Sequence, residues 1–251
     1  MVYFVGAGPG AADLITVRGK KLLEGADLIV YAGSLVNPEL LDFARPGCVK
    51  KNSADMTLEQ VIEAMVPFAR QGKTVVRLHT GDPSVFGAIR EQMDALKSRG
   101  VPFQVVPGVS SFCGAAATLG AEYTLPGVSQ TVILTRLAGR TPVPPRESVR
   151  SLSEHRSSMA VFLSAGMTGR LKEELLAGGY PADTPAAIVY KATWPDEKIV
   201  RGTVARLPEM AEQAGITKTA LILVGGFLGE DYERSRLYDP SFSHGFREKS
   251  V

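Results

Sequence analysis

The sequence is poor in the residues that build disulfide frameworks and metal centres. It contains two cysteines, Cys48 and Cys113, which lie far apart and form no CxxC or CxxH motif. Disulfide scaffolds need several paired cysteines, and zinc sites need closely spaced cysteine or histidine ligands. The three histidines, His79, His155 and His244, share no ligand spacing either. The sequence therefore predicts no metal site.

Long apolar runs and a strong charge of one sign are also lacking. No apolar run reaches the roughly 18 residues that cross a bilayer, and Met1–Gly6 has no signal-like character. The formal net charge is only +2, without a basic stripe interleaved with aromatics, which argues against a nucleic-acid partner. We therefore expect a soluble, cytoplasmic protein that binds a small molecule and has neither a nucleic-acid nor a membrane partner.

Short apolar strands alternate with helical patterns along all 251 residues. Strands are predicted at Val2–Val5, Asp27–Tyr31, Thr74–Leu78, Phe103–Val106, Thr131–Thr135, Met159–Leu163, Ala186–Tyr190, Lys198–Thr203 and Leu221–Val224. Thr16 and Thr57 are predicted to cap the first helices, Thr57 through a capping box with Gln60. This alternation is typical of parallel sheets with helices on their faces.

The pattern breaks at Glu122–Gln130, which is the best candidate for a domain boundary. We therefore predict an N-terminal domain, residues 1–121, and a C-terminal domain, residues 122–251. The expected fold class is α/β: two α/β domains with mostly parallel sheets flanked by helices, and a ligand cleft between them.

The segment Arg77–Arg90 is the most informative stretch of the chain. Its Thr80–Pro83 turn directly follows a predicted strand, and ligands bind at the carboxyl ends of strands in open α/β sheets. Gly81 allows close backbone approach to a ligand, and Asp82 supplies an acceptor. An ordinary entry into a helix capped by Ser84 explains the same residues, so both interpretations stay open at this point.

A second glycine-rich turn, Gly6–Gly10, follows the first strand and suggests a nucleotide site. However, position 11 of the dinucleotide fingerprint is Ala11, and the second strand ends in Tyr31 where an acidic residue is required. A P-loop also fails, because Gly10 is not followed by the Lys-Ser/Thr pair. What remains is a tight turn that brings the backbone close to something flat or bulky.

Three motifs in this order resemble the tetrapyrrole (corrin/porphyrin) methyltransferases: Gly6–Gly10, Thr80–Pro83 and Val106–Ser111. The resemblance covers nearly the whole chain. Within the family, Tyr31–Val36 and Arg77–Pro83 resemble the branch that methylates precorrin-4 at C11 to give precorrin-5 in cobalamin biosynthesis. The uroporphyrinogen branch typically has glycine where this chain has Thr80.

The resemblance implies an S-adenosylmethionine-dependent C-methyltransferase, usually a homodimer, with a tetrapyrrole substrate and S-adenosylhomocysteine as product. It implies a cofactor site at Pro9, Thr80, Gly81, Asp82, Val85, Ser110, Ser111, Ser164 and Ala192. Substrate contacts are expected from Gly8 in the turn and from three cations that could orient carboxylates, Arg90, Arg136 and Lys191. His79 is a candidate proton acceptor, although a packed histidine that bonds a backbone carbonyl is the favoured interpretation.

Four alternatives stay open. Two lie inside the family: methylation of the cobalt-bearing form of precorrin-4, and methylation of uroporphyrinogen III. A nucleotide-dependent oxidoreductase is a different class, and Tyr31 argues against it. A non-catalytic ligand-binding module would have a similar cleft but no turnover.

Overall fold

The computed structural model describes residues 1–248, apart from the side chain of Ser34. The chain forms two compact units. The first contains Met1–Ala115 and Lys191–Glu197, and the second contains Ala116–Tyr190 and the residues from Lys198 onward. The domain bounds 1–121 and 122–251 stay a prediction. That Lys191–Glu197 packs with the first unit was not expected from the sequence.

The first unit is built on a five-stranded parallel sheet with the strand order β3-β2-β4-β1-β5. Its strands are β1 (Val2–Gly6), β2 (Leu28–Tyr31), β3 (Val49–Asn52), β4 (Val75–His79) and β5 (Phe103–Val106). Its helices are α1 (Val17–Glu24), α2 (Leu58–Arg70) and α3 (Ile89–Ser98), and the division between the units falls inside α4 (Ser111–Leu119). The parallel arrangement expected for this sheet is confirmed.

The helix starts predicted at Thr16 and Thr57 are confirmed. The Thr16 hydroxyl accepts a hydrogen bond from the Gly19 amide at 3.1 Å, and Thr57 and Gln60 form the complete capping box of α2. The charged edge strand β3 was missed, because Val49–Asn52 lacks the apolar pattern by which a strand is recognised.

Both faces of the central strands β1, β2 and β4 are buried, as is usual in parallel sheets. Successive residues of β1 point to opposite sides: Phe4 packs with the α2 and α3 cluster around Met65, and Val5 packs with the α1 cluster around Leu23. All four side chains are fully buried. This double burial fixes the register of β1, since a shift of one residue would exchange its two faces.

The second unit has a mixed five-stranded sheet with the order β6-β7-β10-β8-β9. Its strands are β6 (Val132–Arg136), β7 (Ser158–Phe162), β8 (Pro185–Tyr190), β9 (Lys198–Thr203) and β10 (Ala220–Val224). Its helices are α5 (Val149–Ser153), α6 (Thr168–Ala177) and α7 (Leu207–Ala214).

Only the pairing of β6 with β7 is parallel in this sheet, whereas the other three pairings are antiparallel. The two α/β domains are confirmed, but the expectation of a mostly parallel sheet was wrong for the second one. The physical reason is that a strand buried on both faces carries the same apolar run in either direction. Strand direction is set by long-range pairing, which composition does not encode.

None of the helices within residues 1–248 combines the length and the apolar character needed to cross a membrane.

Candidate functional site

Three turns meet at one edge of the first sheet. The order β4-β1-β5 places the carboxyl ends of these strands side by side, and Gly6–Gly10, Thr80–Pro83 and Pro107–Ser111 follow them. The amide of Gly8 donates to the carbonyl of Gly81 at 3.3 Å, and the amide of Gly81 donates back at 2.9 Å. The first two turns are therefore held together by their own main chains.

Three glycines allow this contact. A Cβ added to Gly6 would lie 2.5 Å from Cα of Gly108, and one added to Gly108 would lie 2.3 Å from the carbonyl oxygen of Gly81. Since the obstructing atoms are backbone, they cannot swing away as a flexible side chain could. Gly81 also has a φ of +60°, which disfavours other residues. The glycines are required by the packing of turn against turn, whatever ligand lies beyond them.

Asp82 joins the second turn to the third. Its Oδ1 accepts hydrogen bonds from the amide and hydroxyl of Ser84, and its Oδ2 accepts from the amide of Gly108 at 2.9 Å. Partial burial alone would raise the pKa of Asp82, but these donors outweigh it and lower the pKa below its usual value. Each oxygen thus has a donor within the protein, which makes Asp82 a brace between turns. Its predicted contact with the cofactor stays a prediction.

The alternative of a helix capped by Ser84 is wrong. Helix α3 begins at Ile89, and its N-cap residue is Ala88, with a left-handed φ of +48°. The hydroxyl of Ser84 instead donates to Asp82. Phe86 is also left-handed, with a φ of +53°, and its side chain is 46% exposed. Strained residues with exposed apolar side chains at a strand end are typical of ligand sites.

The other predicted cofactor residues of this region lie together. A Cβ on Gly81 would be 3.4 Å from the amide nitrogen of Ser111 and 3.5 Å from Cα of Ser110. Thr80 is partly exposed and donates its hydroxyl to the carbonyl of Leu35 at 3.0 Å. Val85 is partly exposed, whereas Ser110 is buried. The edge thus combines hydroxyls, main-chain groups and apolar side chains, the mixture that small-molecule sites use.

His79 lies under this edge in a buried, uncharged state. Burial, together with the nearby charge of Arg77, lowers the pKa of His79 to about 3. Its Nε2 is buried and has no hydrogen-bond partner, and its ring lies 6.0 Å from that of Phe4. Arg77 donates to Gln92 Oε1 at 3.0 Å and to the carbonyl of Val30 at 3.2 Å, and burial lowers its pKa to about 10. A histidine this hard to protonate is a weak base.

Gly8 and Pro9 are buried in the first turn, next to a segment that sequence reasoning did not single out. Trp194 donates its Nε1 hydrogen to the carbonyl of Pro9 at 3.2 Å. Predicted residues Lys191 and Ala192 flank it: Ala192 is buried, and Lys191 pairs with Asp196 at 2.6 Å. The signal in the sequence was the only tryptophan of the chain, placed just after a predicted strand.

Ser164 and Arg136 belong to the second unit, and both make structural hydrogen bonds there. Ser164 is fully buried, donates to the carbonyl of Phe162 and accepts from the amide of Leu137. Arg136 donates to three carbonyls, those of residues 137, 141 and 142. Between Phe162 and Ser164, Leu163 has a φ of +53° and is 67% exposed. This second strained, exposed apolar residue marks the end of β7.

Arg90 lies on the surface of α3, where it pairs with Asp94 at 2.9 Å and its side chain is 85% exposed. Nothing in these contacts holds it towards the three turns. The substrate contacts predicted for Arg90, Arg136, Lys191 and Gly8 stay predictions.

An open cavity of about 770 Å³ lies beside the first turn, and none of the predicted site residues lines it. Its charged lining residues are Asp13, Lys20, Lys21, Glu24 and Glu39. Because two cations face three carboxylates, the cavity shows no preference for an anionic ligand.

Comparison with known sequences gives a consistent set of relatives. Residues 1–208 match the family model described as tetrapyrrole (corrin/porphyrin) methylases. A cobalt-precorrin-4 C(11)-methyltransferase of Methanocaldococcus jannaschii is 52% identical, over 98% of this chain and 96% of its own. A precorrin-4 C(11)-methyltransferase of Pseudomonas aeruginosa is 45% identical, over 98% of each chain.

Solved structures agree with the sequences. A cobalt precorrin-4 methyltransferase, described as a cobalamin biosynthetic enzyme, superposes with a TM-score of 0.89 at 49% identity, over 91% of this chain and 96% of its own. A uroporphyrin-III C-methyltransferase of Thermus thermophilus, complexed with S-adenosylhomocysteine, has a TM-score of 0.73 at 28% identity, over 90% and 92% of the two chains.

The low pKa of His79 predicts a specific loss of stability in acid. The unfolded chain takes up a proton near pH 6.5, whereas the folded chain does so only near pH 3. Stability should therefore fall between these values, by at most about 1.4 kcal/mol per pH unit. Urea unfolding from pH 7 to pH 4.5 should show this loss in the wild type and a smaller one in His79→Leu. The exposed-site control His155→Gln should follow the wild type, and equal pH slopes for all three proteins would refute the assignment.

Asp82→Asn should destabilise the protein at pH 7. The NH2 group of asparagine is a donor, and it would face either the two donors of Ser84 or the amide of Gly108. The ionised Asp82 stabilises the fold above the ordinary carboxyl pKa of 3.8, and this contribution is lost as pH falls through the lowered folded value. The difference in urea midpoint between wild type and variant should thus shrink below about pH 4. Asp55→Asn, at an exposed loop position, serves as control. A difference independent of pH would contradict the bracing role.

Proposed function

The chain belongs to the tetrapyrrole (corrin/porphyrin) methylases, and from this premise we propose that it transfers the methyl group of S-adenosylmethionine to C11 of cobalt-precorrin-4. The family predicted from the three turn motifs is confirmed. The motifs themselves favoured precorrin-4, with the cobalt form as an alternative. We choose the cobalt form because the relatives named for it have a higher sequence identity to this chain than the relative named for precorrin-4.

The differences in sequence identity favour the cobalt-bearing substrate. The relative at 52% identity and the solved structure at 49% are both named for cobalt precorrin-4, whereas the Pseudomonas relative named for precorrin-4 is 45% identical. All three match almost the full length of this chain. The uroporphyrin-III enzyme from Thermus is more distant, at 28% identity, in agreement with Thr80 where that branch typically has glycine. Nothing among these relatives supports the oxidoreductase alternative.

The residues at the three turns fit the adenosyl cofactor. A flat adenine needs an apolar surface beside main-chain hydrogen-bonding groups, and Val85 and the exposed Phe86 lie next to the Thr80–Asp82 turn. Because glycines leave no side chain between this turn and its neighbours, the main chains of the turns pack directly against one another. Pro9, Ser110 and Ser111 border the same edge, and we propose that they complete the site with Ala192 of the same unit. The cofactor contact of Ser164 stays a prediction.

The chemistry asks little of the protein beyond placement. When bound, S-adenosylmethionine supplies a methyl group already activated by its sulfonium. A protein that holds the reacting atoms about 3–3.5 Å apart and in line can supply on the order of 7–11 kcal/mol of the barrier. The rigid edge, with main chain packed on main chain, is suited to this role.

A proton must leave the macrocycle, and His79 was the predicted acceptor. An imidazole with a pKa of about 3 gains a proton poorly at neutral pH. Burial thus favours a packing role for His79, and its role as acceptor stays a prediction.

The proposed reaction predicts a clear order of substrates. With labelled S-adenosylmethionine, kcat/KM should be highest for cobalt-precorrin-4, lower for precorrin-4 and lowest for uroporphyrinogen III. NMR of the product should locate the label at C11. Methylation at another carbon would refute the assigned position, and a higher kcat/KM with the metal-free macrocycle would refute the preference for cobalt.

We propose that Arg136 helps to orient the carboxylates of the macrocycle, as its position at the end of β6 suggests. Arg136→Ala should then raise KM for the tetrapyrrole, by about tenfold for one charged hydrogen bond. Lys97→Ala, at an exposed position on α3, should leave KM unchanged and provides the comparison. Because Arg136 also holds the loop at residues 137–142, the melting temperature must be measured alongside. An unchanged KM would refute the role.

The predicted assembly and location complete the proposal. We propose a cytoplasmic homodimer, as the resemblance implies, and sedimentation of the purified protein would measure its mass.

A further inference from the structure

The segment Lys191–Glu197 contacts three successive residues at the end of the first turn: Pro9, Gly10 and the adjoining Ala11. Trp194 Nε1 donates to the carbonyl of Pro9 at 3.2 Å, and the amide of Ala11 donates to the hydroxyl of Thr193 at 3.0 Å. Between them, a Cβ added to Gly10 would lie 2.1 Å from Cδ1 of Trp194. The indole therefore packs directly on the main chain of Gly10. This is the flat, bulky partner that the glycine-rich turn requires.

Two residues of the segment Lys191–Glu197 have a strained backbone conformation. Thr193 has a φ of +68° and Lys191 a φ of +48°. A β-branched residue rarely adopts left-handed backbone, and such strain persists only where the surroundings over-determine it. The contacts that hold this conformation lie within the segment itself. The amide of Thr193 donates to Glu197 Oε2 at 2.6 Å. Lys191 Nζ lies 5.1 Å from the centre of the Trp194 ring and also pairs with Asp196.

A continuous set of contacts leads from Trp194 to the cofactor turn. Trp194 holds Pro9 and Gly10, and the neighbouring Gly8 exchanges two main-chain hydrogen bonds with Gly81. Gly81 lies between Thr80 and Asp82. A shift of the first turn is therefore transmitted to the second, since close-packed backbone does not absorb it.

We propose that Trp194 and Thr193 are positioning residues, which hold the Gly6–Gly10 turn against Gly81 so that the Thr80–Asp82 turn is preformed for the adenosyl cofactor. They act through the turn and do not touch the reacting atoms. The inference rests on the proposed function for the identity of the cofactor.

The first experiment measures binding of S-adenosylhomocysteine to the full chain by calorimetry. Trp194→Ala should raise Kd about tenfold, as the loss of a hydrogen bond and of ring packing suggests. Trp194→Phe keeps a ring and should fall between the alanine variant and the wild type. Tyr238→Ala, which truncates an exposed aromatic ring, should bind like the wild type.

A matched pair at Thr193 isolates the hydrogen bond. Thr193→Val keeps the branched shape but removes the acceptor for the Ala11 amide, so Kd should rise severalfold. Thr193→Ser keeps the hydroxyl and should restore affinity. A merely structural role would lower the melting temperature of both variants without separating their affinities.

A third readout needs no variant. Trp194 is the only tryptophan, so the fluorescence of the wild type reports on this contact alone. Because the turn is preformed, Trp194 should keep its contact with Pro9 and Gly10 on binding, so saturation with S-adenosylhomocysteine should leave the emission maximum in place. A large shift of the emission maximum, or folded Trp194→Ala and Thr193→Val with the wild-type Kd, would overturn the inference alone. Absence of binding to the wild type would overturn the proposed function with it.

Discussion

The contact of main chain with main chain between Gly6, Gly81 and Gly108 is the constraint on which the first unit depends. Parallel strands β4, β1 and β5 end side by side, and their turns occupy one another's side-chain space. Asp82 secures the arrangement, because its carboxylate accepts from Ser84 on one side and from Gly108 on the other. The ionised carboxylate of Asp82 thus holds the second and third turns at a fixed spacing.

Rigidity at this edge is suited to methyl transfer, a reaction that needs no nucleophile from the protein. Close-packed backbone holds its geometry, and placement is the main requirement when the methyl group is already activated. The strained residues support this view. Phe86, Leu163 and Thr193 have left-handed backbone in the segments that follow β4, β7 and β8, where the energy of folding elsewhere must maintain their conformation.

Local features were predicted well, and contacts remote in sequence were not. The caps at Thr16 and Thr57 depend on residues three positions away, and both are confirmed. Helix α3 was expected to begin near Ser84 in one interpretation and begins at Ile89, because Phe86 and Ala88 have left-handed backbone that interrupts a helix. The partner of Asp82 at Gly108 lies 26 residues away and is reached only in the folded chain.

The sequence by itself determined the strands other than β3, the glycine-rich turns after them and the family to which they belong. These follow from apolar periodicity and from residue types that only a few backbone conformations accept. The tertiary structure decided three further matters: the antiparallel pairings of the second sheet, the bracing by Asp82, and the packing of Trp194 on Gly10. Each joins residues far apart in the chain or depends on strand direction. A local pattern specifies which surface is apolar, but not which distant segment will cover it.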